Sequence, residues 1–319
     1  MVVVSSPVTG FSHADVLVVP VVEVGGSHVT AALVGPDGNP PAIRNLTTAP
    51  LDPHASADVL LDAVLSCAQA LDAPAGVRWG VAVPGPFDYA AGVAWYRGVA
   101  KFDALYGVDV GRRLRDGLGP ALAADLVFLG DAEAFALGEW AFGAGRSSRR
   151  MLGVTLGTGV GTSFLDAGVA VVDGPDVPPA GRADLLRVDD RPLEESVSAR
   201  AIVARYARAG GPPSTVAAIA ERARGGEDRA GAVLDEAFGT LGAALAPWVA
   251  SFGAQVVVVG GAMVRSWDLI AAPLRRGMGA GTNGGPGDGV AGAQPVLMPA
   301  TYAEHAAFFG AAYRAGSVR

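Results

Sequence analysis

The most constraining feature of this sequence is a pattern that occurs twice: an apolar run, a glycine-rich turn and a second apolar run. Residues 16–24 lead into Gly25-Gly26-Ser27, after which residues 29–34 are apolar again. Residues 151–156 lead in the same way into Gly157-Thr158-Gly159-Val160-Gly161, and a further apolar run follows. Short apolar runs bounded by turn residues are typical of buried strands. Each half of the chain is therefore predicted to open with a strand hairpin that has glycine at its tip.

Helical and strand-like segments alternate after each hairpin. Apolar side chains recur at helical spacing in residues 57–71, 108–118, 132–142, 192–205, 230–252 and 304–314, and strand-like apolar runs lie at residues 77–83, 126–129 and 255–259. Strands that alternate with helices favour sheets that are covered on both faces. A length of 319 residues is ample for two domains. The predicted fold is therefore α/β, with two similar halves and a cleft between them.

Proline and glycine mark where regular structure is expected to end. Pro20 lies within the first apolar run, so that strand is expected to begin after it or to lie at a sheet edge. Pro36-Asp37-Gly38-Asn39 has the composition of a hairpin turn. Pro247 is expected to kink or interrupt the helix of residues 230–252. Residues 277–292 are rich in glycine and are predicted to form a loop.

Composition and charge exclude several classes of protein. Half of the residues are hydrophobic and 17% are charged, which excludes wholesale disorder. The formal net charge of −7 argues against a nucleic-acid scaffold, which usually carries a basic face. Cys67 is the single cysteine, so an internal disulfide and a CxxC-type zinc site are excluded. No apolar run approaches the roughly 20 residues that span a bilayer, and no signal peptide is recognisable, so a soluble cytoplasmic protein is expected.

The two glycine turns are candidate phosphate-binding sites. A hairpin tip without side chains exposes backbone N–H groups, and together with the hydroxyls of Ser27 and Thr158 these groups suit phosphate oxygens. Neither turn is a Walker motif, and the second also fails as a dinucleotide fingerprint, because a strand follows it where a helix is needed. The alternative is that both are tight turns whose glycines are required for positive φ.

Asp131 follows directly after an apolar strand and precedes a predicted helix. Because α/β sheets place their ligands at the carboxyl ends of strands, a carboxylate at this point can act as a general base. The alternative is a helix N-cap, for which aspartate is among the best residues.

Glu23 interrupts a run of valines just before the first glycine turn. A carboxylate buried in such a strand destabilises the protein unless it is paired or lies near a cation. Mg²⁺, held directly or through water, is a natural partner beside a phosphate-binding turn. The alternative is a buried salt bridge.

Five segments, in chain order, carry a family resemblance. They are Glu23-Val24-Gly25-Gly26-Ser27, Gly80-Val81-Ala82-Val83-Pro84-Gly85-Pro86, the block from Gly130-Asp131-Ala132-Glu133 to Leu137-Gly138-Glu139, Phe142-Gly143-Ala144-Gly145 followed by Thr155-Leu156-Gly157-Thr158-Gly159-Val160-Gly161, and Val257-Val258-Val259-Gly260-Gly261-Ala262. Together they resemble the ROK family (repressors, open reading frames and sugar kinases) of the actin-like, hexokinase-type ATPase superfamily. The resemblance spans nearly the whole chain, and residues 130–161 are its most specific part.

The resemblance implies a fold of two actin-like (ribonuclease H-like) α/β domains, each a mixed sheet flanked by helices, with an interdomain cleft. A smaller N-terminal domain is expected over residues 1–124, with a C-terminal helix in residues 303–319 packed back on it, and a larger C-terminal domain over residues 125–302. The implied activity is ATP-dependent phosphorylation of a hydroxyl of a sugar or sugar derivative, with Mg²⁺ as cofactor. The implied assembly is a homodimer, with packing surface from residues 230–252 and with neither nucleic acid nor membrane as a partner.

The resemblance also assigns roles to individual residues. Asp131 is the general base. Nucleotide and phosphate binding falls to Gly25, Gly26, Ser27, Gly157, Thr158, Gly159, Gly161, Gly260 and Gly261, and sugar binding to Pro84, Gly85, Gly130, Asp131 and Glu194. Glu23 stands where the family has a metal-side aspartate and is expected to bind Mg²⁺ through water.

Several positions depart from the family pattern. The segment that would hold a Glu-x-Gly-His sequence before a cysteine-rich zinc site reads Ala180-Gly181-Arg182-Ala183-Asp184-Leu185, so no zinc is expected. Gly130 replaces a sugar-contacting asparagine, and Tyr96-Arg97-Gly98-Val99-Ala100-Lys101 replaces a loop that carries another. Arg97, Lys101 and Arg182 then form a basic group near the acceptor and favour an anionic sugar derivative. The alternative is that these side chains are solvated surface residues.

Two further functions are compatible with the same resemblance. A catalytically weak or inactive sugar-binding sensor is favoured by Glu23 and the altered sugar site, and disfavoured by Asp131 and both glycine turns. A DNA-binding repressor needs a helix-turn-helix domain ahead of the first glycine turn, whereas 22 residues precede Glu23. With a negative net charge as well, the repressor function is not expected.

Overall fold

Two five-stranded sheets organise this chain. They are seen in a computed structural model that describes residues 18–35, 38–99, 101–280 and 294–316. Each sheet combines an antiparallel meander with a set of parallel strands. The same combination in both halves follows from the repeated pattern of hairpin and alternating elements in the sequence.

The N-terminal half contains, in chain order, β1 (Val19–Val24), β2 (His28–Gly35), β3 (Ala42–Pro50), α1 (Ala57–Gln69), β4 (Val77–Val83), β5 (Phe87–Asp88), β6 (Val93–Ala94), α2 (Val110–Leu122) and β7 (Ala123–Gly130). Its sheet has the order β3-β2-β1-β4-β7. The strands β1, β2 and β3 are antiparallel, whereas β1, β4 and β7 are parallel. The carboxyl ends of these three parallel strands meet at one side of the sheet, which we call the first carboxyl edge.

The strand β1 lies in the middle of its sheet and includes Pro20, which corrects the expectation of an edge strand or a later start. Pro20 is paired with Leu33 of β2, whereas the pairing with β4 begins only at Val21. Because the missing N–H of Pro20 lies before the β4 ladder, a central strand can accommodate it. Of the turn predicted for residues 36–39, which connects the antiparallel strands β2 and β3, residues 36 and 37 lie outside the described residues.

The helix α1 forms where its apolar spacing predicts it. Ser56 is its N-cap, and the Ser56 hydroxyl accepts a hydrogen bond from the N–H of Val59 at 3.5 Å. Such a cap contributes about 1 kcal/mol to helix stability. Leu60 and Val64 point into the core of the N-terminal half, so burial of one apolar face supplies the remaining stabilisation.

The C-terminal half contains α3 (Asp131–Phe142), β8 (Arg150–Leu156), β9 (Val160–Asp166), β10 (Val169–Ala170), β11 (Arg187–Val188), β12 (Arg191–Pro192), α4 (Glu194–Val197), α5 (Ala199–Arg208), α6 (Val216–Arg224), α7 (Asp228–Phe252), β13 (Val256–Gly260), α8 (Trp267–Ala280), β14 (Val296–Pro299) and α9 (Ala306–Arg314). Its sheet has the order β10-β9-β8-β13-β14. The strands β8, β13 and β14 are parallel, and their carboxyl ends form the second carboxyl edge. Both sheets have the same topology, which confirms the prediction of two similar α/β halves.

The helix α7 runs through Pro247, so the interruption that was one of the two expected effects does not occur. Pro247 and Ala243 are both exposed, so water can bond the Ala243 carbonyl that loses its helical partner. Leu241, Leu245 and Val249 lie on the opposite face and are buried in the core of the C-terminal half. The apolar face of α7 is thus buried within the chain itself, and packing of residues 230–252 against a second copy stays a prediction.

The helix α8 includes residues 277–280, which the sequence analysis assigned to a glycine-rich loop; residues 281–292 lie outside the described residues. A side chain at Gly277 would collide with the backbone of Gly239 in α7. Glycine here therefore permits two helices to approach closely, rather than forming a turn. A helix whose glycines serve packing carries little helical signal in its sequence, which is why α8 was missed.

The helix α9 joins the two halves. It packs against β1 and β4 of the first sheet and also against α3, which in turn packs against β8 and β9. A side chain at Gly138 of α3 or at Gly310 of α9 would collide with the backbone of the other helix. Small residues at the crossing therefore bring the backbones of α3 and α9 into direct contact.

The first sheet extends past the predicted domain boundary between residues 124 and 125. The strand β7 pairs with β4 from Arg78 opposite Asp125 to Val83 opposite Gly130. Residues 125–130, which the sequence analysis assigned to the C-terminal domain, complete the N-terminal sheet. The pairing partner of a strand depends on distant residues, so the apolar pattern of residues 126–129 alone could not assign it to a sheet.

Candidate active site

The first carboxyl edge brings together three of the predicted site segments. Glu23 of β1 pairs with Ala82 of β4, and Val83 of β4 pairs with Gly130 at the end of β7. The first glycine turn, the Pro84-Gly85 segment and Asp131 therefore follow directly after three neighbouring parallel strands. This is the position at which α/β sheets collect ligand-binding groups.

Glu23 lies partly buried at this edge. Burial, together with the negative charge of Asp131, raises the pKa of the Glu23 carboxyl from 4.5 to about 7. Within the described part of the chain the carboxyl has no salt-bridge partner, so the salt-bridge alternative is not realised there. Two carboxyl groups that repel each other, without a cation of the protein between them, suit a divalent metal ion.

Asp131 is the first residue of α3, and its side chain is exposed. One carboxylate oxygen, Oδ1, accepts a hydrogen bond from the N–H of Ala132 at 2.8 Å. Gly130 occupies the N-cap position of α3, so the capping alternative does not describe Asp131. The carboxylate is therefore oriented by the backbone and remains accessible to a reactant.

The first glycine turn, residues 25–27, forms the exposed tip between β1 and β2. The N–H of Gly25 donates to the carbonyl of His28 at 2.8 Å and closes the turn. The Ser27 hydroxyl is exposed and lies 3.4 Å from Nδ1 of His28. A side chain at Gly26 would meet nothing within 4 Å, so the space beside this turn is open.

The second glycine turn, residues 157–161, connects β8 to β9 and lies against α3. A Cβ on Gly161 would lie 2.8 Å from the Cβ of Ala132 and 2.6 Å from the hydroxyl oxygen of Thr155. Thr158 is exposed at the tip, and a side chain at Gly157 would meet nothing within 4 Å. The second turn is therefore held beside the residue that follows Asp131, while its tip remains open.

Backbone conformation does not explain the glycines of these two turns. None of Gly25, Gly26, Gly157, Gly159 and Gly161 has a positive φ, so the alternative of turns that require left-handed glycine is wrong. At Gly26 and Gly157 packing does not explain the glycine either, because the space around the Cβ position is empty. Glycine at these two positions leaves room for a group from outside the chain.

Gly260 and Gly261 follow β13 at the second carboxyl edge, and Gly260 pairs with Thr155 of β8. A side chain at Gly260 would collide with the ring of Phe135. Gly261 has a φ of 82° and lies against the backbone of Leu156. Packing and conformation explain both glycines, and a role of these residues in nucleotide binding stays a prediction that rests on their position beside the second turn.

The ROK family model matches nearly the whole chain, over residues 20–182 and 188–317. The chain belongs to the ROK family. One relative is the glucokinase of Thermotoga maritima, which is 26% identical over 279 residues, 80% of this chain and 84% of the relative. A ROK family glucokinase from Streptomyces griseus, solved in complex with glucose and AMPPNP, has a TM-score of 0.73 at 22% identity and covers 93% of this chain and 98% of its own.

The family also includes a regulator with the same fold. A ROK family transcriptional regulator, described as a homologue of an E. coli protein, has a TM-score of 0.72 at 16% identity, with 94% of this chain and 78% of the regulator covered. These solved relatives confirm the two-domain, actin-like α/β fold that the sequence resemblance implied. At such identities they establish the fold alone.

The acceptor side of this ROK protein carries a cluster of opposite charges. Arg182 donates twice to Asp184, from Nε to Oδ1 at 3.2 Å and from Nη2 to Oδ2 at 2.5 Å, and Asp184 is 5% exposed. Burial and the negative charge of Asp184 raise the pKa of the nearby Glu194 carboxyl, while Arg200, Lys101 and Arg182 act in the opposite direction. Arg182 is thus paired with a carboxylate of the chain, and Lys101 and Arg200 bring positive charge to the surroundings of Glu194.

Glu194 also connects the acceptor side to the second glycine turn. A Cβ on Gly159 would lie 3.0 Å from Oε1 of Glu194. The N–H of Ala199, at the start of α5, donates to the carbonyl of Gly157 at 3.0 Å. The glutamate predicted to bind the sugar therefore lies directly against the turn predicted to bind phosphate.

Arg97 lies at the surface of the N-terminal half. Its guanidinium stacks on the ring of Tyr106, 3.9 Å from the ring centroid, and Trp95 packs edge-on against the same ring. This arrangement matches the solvated-surface alternative for Arg97. A role of Arg97 in binding the acceptor stays a prediction.

Tyr89 was not singled out from the sequence, yet it lies at the centre of the acceptor side. A Cβ on Gly85 would lie 3.4 Å from the Tyr89 hydroxyl oxygen, and a Cβ on Gly130 would lie 3.1 Å from it. The residue follows the Pro84-Gly85-Pro86 turn in a short hairpin, β5 and β6. The sequence contains no signal for the direction in which this hairpin folds, so Tyr89 could not be assigned to the site.

Glu139 has a structural role that the sequence analysis also left unassigned. Its side chain is fully buried and accepts three backbone hydrogen bonds, from the N–H groups of Ala144 at 2.8 Å, Thr301 at 3.0 Å and Tyr302 at 2.6 Å. These bonds connect the end of α3 to the segment before α9. The sequence signal was a single carboxylate within an otherwise apolar helix, which requires such partners.

Within the four described ranges, no group of three or more His, Cys, Asp or Glu side chains is arranged to hold a metal ion. Cys67 is buried on α1, and its Sγ donates to the carbonyl of Thr47 at 3.3 Å. Among the same residues, no helix is both long enough and apolar enough to cross a bilayer.

Proposed function

We propose that this ROK protein transfers the terminal phosphoryl group of ATP to a hydroxyl of a sugar or sugar derivative. The observation that carries the proposal is the position of Asp131 between the two glycine turns. Its charge acts on Glu23, which precedes the first turn, and its neighbour Ala132 packs against Gly161 of the second. The named glucokinase relatives support a sugar kinase of the same family.

Asp131 is the proposed general base. The Ala132 N–H holds Oδ1, which leaves Oδ2 free to accept the proton of the acceptor hydroxyl as that oxygen attacks the γ-phosphorus. General-base catalysis of this kind contributes roughly 10²–10⁴-fold to the rate. The exposure of the side chain gives the acceptor access to it.

The two glycine turns are the proposed phosphate-binding groups. Gly26 and Gly157 leave open space beside backbone N–H groups, and the hydroxyls of Ser27 and Thr158 are exposed at the two tips. Phosphoryl transfer requires mainly positioning and charge stabilisation, which such preorganised donors supply. Gly25, Gly159, Gly161, Gly260 and Gly261 complete the proposed nucleotide-binding set.

Glu23 is the proposed Mg²⁺-side residue, since its carboxyl is close to Asp131 and lacks a cationic partner in the described chain. Mg²⁺ would offset the charge of the phosphates when bound. Glu23 would hold it through water, which agrees with the reluctance of Mg²⁺ to lose its hydration shell.

On the acceptor side, the charges favour a neutral sugar over an anionic one. The Arg182 guanidinium is occupied by Asp184, and the Arg97 guanidinium is stacked on Tyr106. The other polar groups described on this side include Glu194, the Tyr89 hydroxyl and the backbone of Pro84-Gly85 and Gly130. Hydroxyl-rich, uncharged acceptors suit a surface of this kind.

The experiment that tests the proposal is a coupled assay of ADP release with ATP, Mg²⁺ and a panel of neutral and acidic sugars. We expect release that depends on a neutral hexose, and a loss of at least about 100-fold in kcat for Asp131→Asn with nearly unchanged nucleotide affinity. Full activity of Asp131→Asn would refute the general-base assignment.

Asp125→Asn is the matched control. Asp125 is also an exposed aspartate of the β7 region whose Oδ1 accepts the N–H of the next residue, Leu126, at 2.9 Å. It lies at the opposite end of β7, so its removal should leave kcat unchanged. Equal losses in both variants would point to damage of β7 instead of loss of a base.

A sugar-binding sensor is the second candidate function. It is favoured by the charge cluster of Arg182, Asp184 and Glu194, which stands where the family places sugar-binding side chains. Heat of binding with a hexose, without any release of ADP in the presence of ATP and Mg²⁺, would support the sensor and contradict the kinase.

A further inference from the structure

The hydroxyl of Tyr89 occupies the space that a side chain at position 130 would fill. A Cβ on Gly130 would lie 3.1 Å from the Tyr89 hydroxyl oxygen and 3.5 Å from the ring carbon Cζ that carries it. The first distance is shorter than an ordinary van der Waals contact, whereas the second is not. The oxygen atom of Tyr89 is thus the atom that a side chain at position 130 would displace.

Backbone conformation does not require glycine at position 130. Gly130 has φ −65° and ψ 147°, an extended conformation that any residue adopts, and it is the N-cap of α3. Asparagine and serine are better N-caps than most residues, so the helix itself would accept a polar side chain there. A side chain there would instead press on the Tyr89 hydroxyl, which would have to move by a few tenths of an ångström.

The Tyr89 ring is held in place while its hydroxyl is left unpaired. Its centroid lies 5.5 Å from that of Phe87, and Phe87 packs at 5.3 Å against Phe128 of β7. Among the described residues the hydroxyl has no hydrogen-bond partner. A rigid ring with a free hydroxyl at the mouth of a site is suited to binding a ligand, because little conformational entropy is lost on contact.

The surrounding charges keep this hydroxyl protonated. Burial, followed by the charges of Asp131 and Glu133, raises the pKa of Tyr89, and Arg182 only partly opposes the rise. The phenol can therefore donate a hydrogen bond as well as accept one near neutral pH. The residues that lie beside the hydroxyl in space, Gly85 and Gly130, are both predicted acceptor-binding positions.

We propose that Tyr89 binds a hydroxyl group of the sugar acceptor directly and thereby determines which acceptors are bound. The bound hydroxyl is either the one whose proton Asp131 accepts or the adjacent hydroxyl of the sugar. The reason is that Tyr89 lies next to Gly130, the residue before Asp131. This inference rests on the proposed function and adds a specificity-determining contact to it.

The test is a binding comparison between wild type and Tyr89→Phe by titration calorimetry. The ligands are D-glucose or D-mannose, whichever the wild type binds, and the monodeoxy analogues of that sugar. We expect the wild type to lose about 10-fold in affinity for one analogue, and Tyr89→Phe to bind the parent sugar about 10-fold more weakly without distinguishing it from that analogue. The affinity for an ATP analogue should be the same in both proteins.

Tyr206→Phe is the control. The Tyr206 hydroxyl donates to Oε1 of Glu227 at 2.8 Å, and its ring is buried in the core of the C-terminal half, so this variant removes a phenol oxygen outside the proposed acceptor-binding set. It is expected to be less stable but to distinguish the deoxy sugars as the wild type does.

The double variant Tyr89→Phe/Gly130→Asn supplies a rescue. Without the phenol oxygen, the ring atom nearest to a Cβ of residue 130 lies 3.5 Å away, an ordinary van der Waals contact. The asparagine amide then offers hydrogen-bonding groups in the space that the phenol oxygen had occupied. We expect part of the lost sugar affinity to return, whereas Gly130→Asn alone should lower it by displacing Tyr89.

The outcomes separate this inference from the function on which it rests. If Tyr89→Phe discriminates every deoxy analogue as the wild type does, Tyr89 does not contact the sugar and the inference is overturned while the kinase remains. If the wild type binds neither sugar, and ADP release is absent across the panel, both proposals are overturned together.

Discussion

The two glycine turns look alike in the sequence, but their surroundings differ. The first turn is an exposed hairpin tip, and Gly26 has nothing within 4 Å of the position of a Cβ. The second turn is packed on two sides, with Gly161 against Ala132 of α3 and Gly159 against Glu194. The first turn can therefore adapt to a ligand, whereas the second has a position that is set by the protein.

This difference shows how a repeated element can serve two purposes. The second turn and Asp131 are connected through Ala132, so their separation is built into the packing of α3 against β8 and β9. The first turn is connected to Asp131 mainly by charge, through Glu23. We infer that the second turn sets the geometry of transfer and that the first contributes to binding and responds to pH and metal ions.

The variant Gly161→Ala should have the largest effect, because it breaks the packed connection. The added methyl group would overlap Ala132 and Thr155, which must shift, and a displacement of this size costs roughly 100-fold in rate. Overpacking should also lower the free energy of unfolding by about 1–3 kcal/mol. Steady-state kinetics and denaturant unfolding measure the two effects, and wild-type kcat in this variant would show that the second turn does not set the geometry.

The second prediction concerns the pH dependence of the free energy of unfolding, which should depend on the first turn and not on the second. Glu23 precedes the first turn, whereas uncharged Thr155 occupies the matching position before the second. The Glu23 pKa rises from 4.5 to about 7 on folding, so the unfolded state loses this proton first as pH increases. The free energy of unfolding should therefore decrease as the pH rises from 4.5 to about 7.

Glu23→Gln removes this dependence and should raise the free energy of unfolding above that of the wild type by about 3 kcal/mol at pH 8 without Mg²⁺. At pH 4.5 the two proteins should be equally stable. Chemical unfolding across this pH range is the measurement. An equal pH dependence in both proteins would contradict the claim that burial and the charge of Asp131 raise the pKa of the Glu23 carboxyl.

The variant Gly26→Ala should have the smallest effect, since it alters the open turn. Nothing in the chain obstructs the methyl group, so the free energy of unfolding should change by less than about 0.5 kcal/mol. The methyl group would enter the space proposed for a phosphate, so ATP affinity should fall by about 10-fold. Gly157→Ala tests the same idea at the second turn. A loss of stability without any loss of ATP affinity would identify Gly26 as a folding residue only.

Much of the fold could be predicted because it depends on local patterns. Residues 77–83 form β4 as the apolar run predicts, and α1 begins next to Ser56, where a cap and an apolar face coincide. The errors share a cause. Pro247 is tolerated because Ala243 faces water, and Gly277 belongs to a helix because α7 lies against it. In each case a neighbour that is distant in sequence decided the outcome.

The residues of the candidate site also fall into those that the sequence suggested and those that only the folded chain brings to the site. The sequence alone identified Asp131, Glu23 and both glycine turns, because residue type and position after a strand are sufficient for chemical reasoning. It left open whether the glycines were needed for φ, and the observed backbone shows that they were not. Tyr89 could not be found at all, since its contact with Gly130 depends on the path of a short hairpin.

The sequence by itself determined the repeated α/β pattern, the family resemblance and the set of reactive groups, because strand and helix periodicity and turn chemistry act over a few residues. Only the tertiary structure decided that β7 completes the first sheet, that Gly161 lies against Ala132, and that the Tyr89 hydroxyl fills the space beside Gly130. These contacts join residues 29 to 47 positions apart, and their energies come from packing and burial, which exist only once the chain has folded.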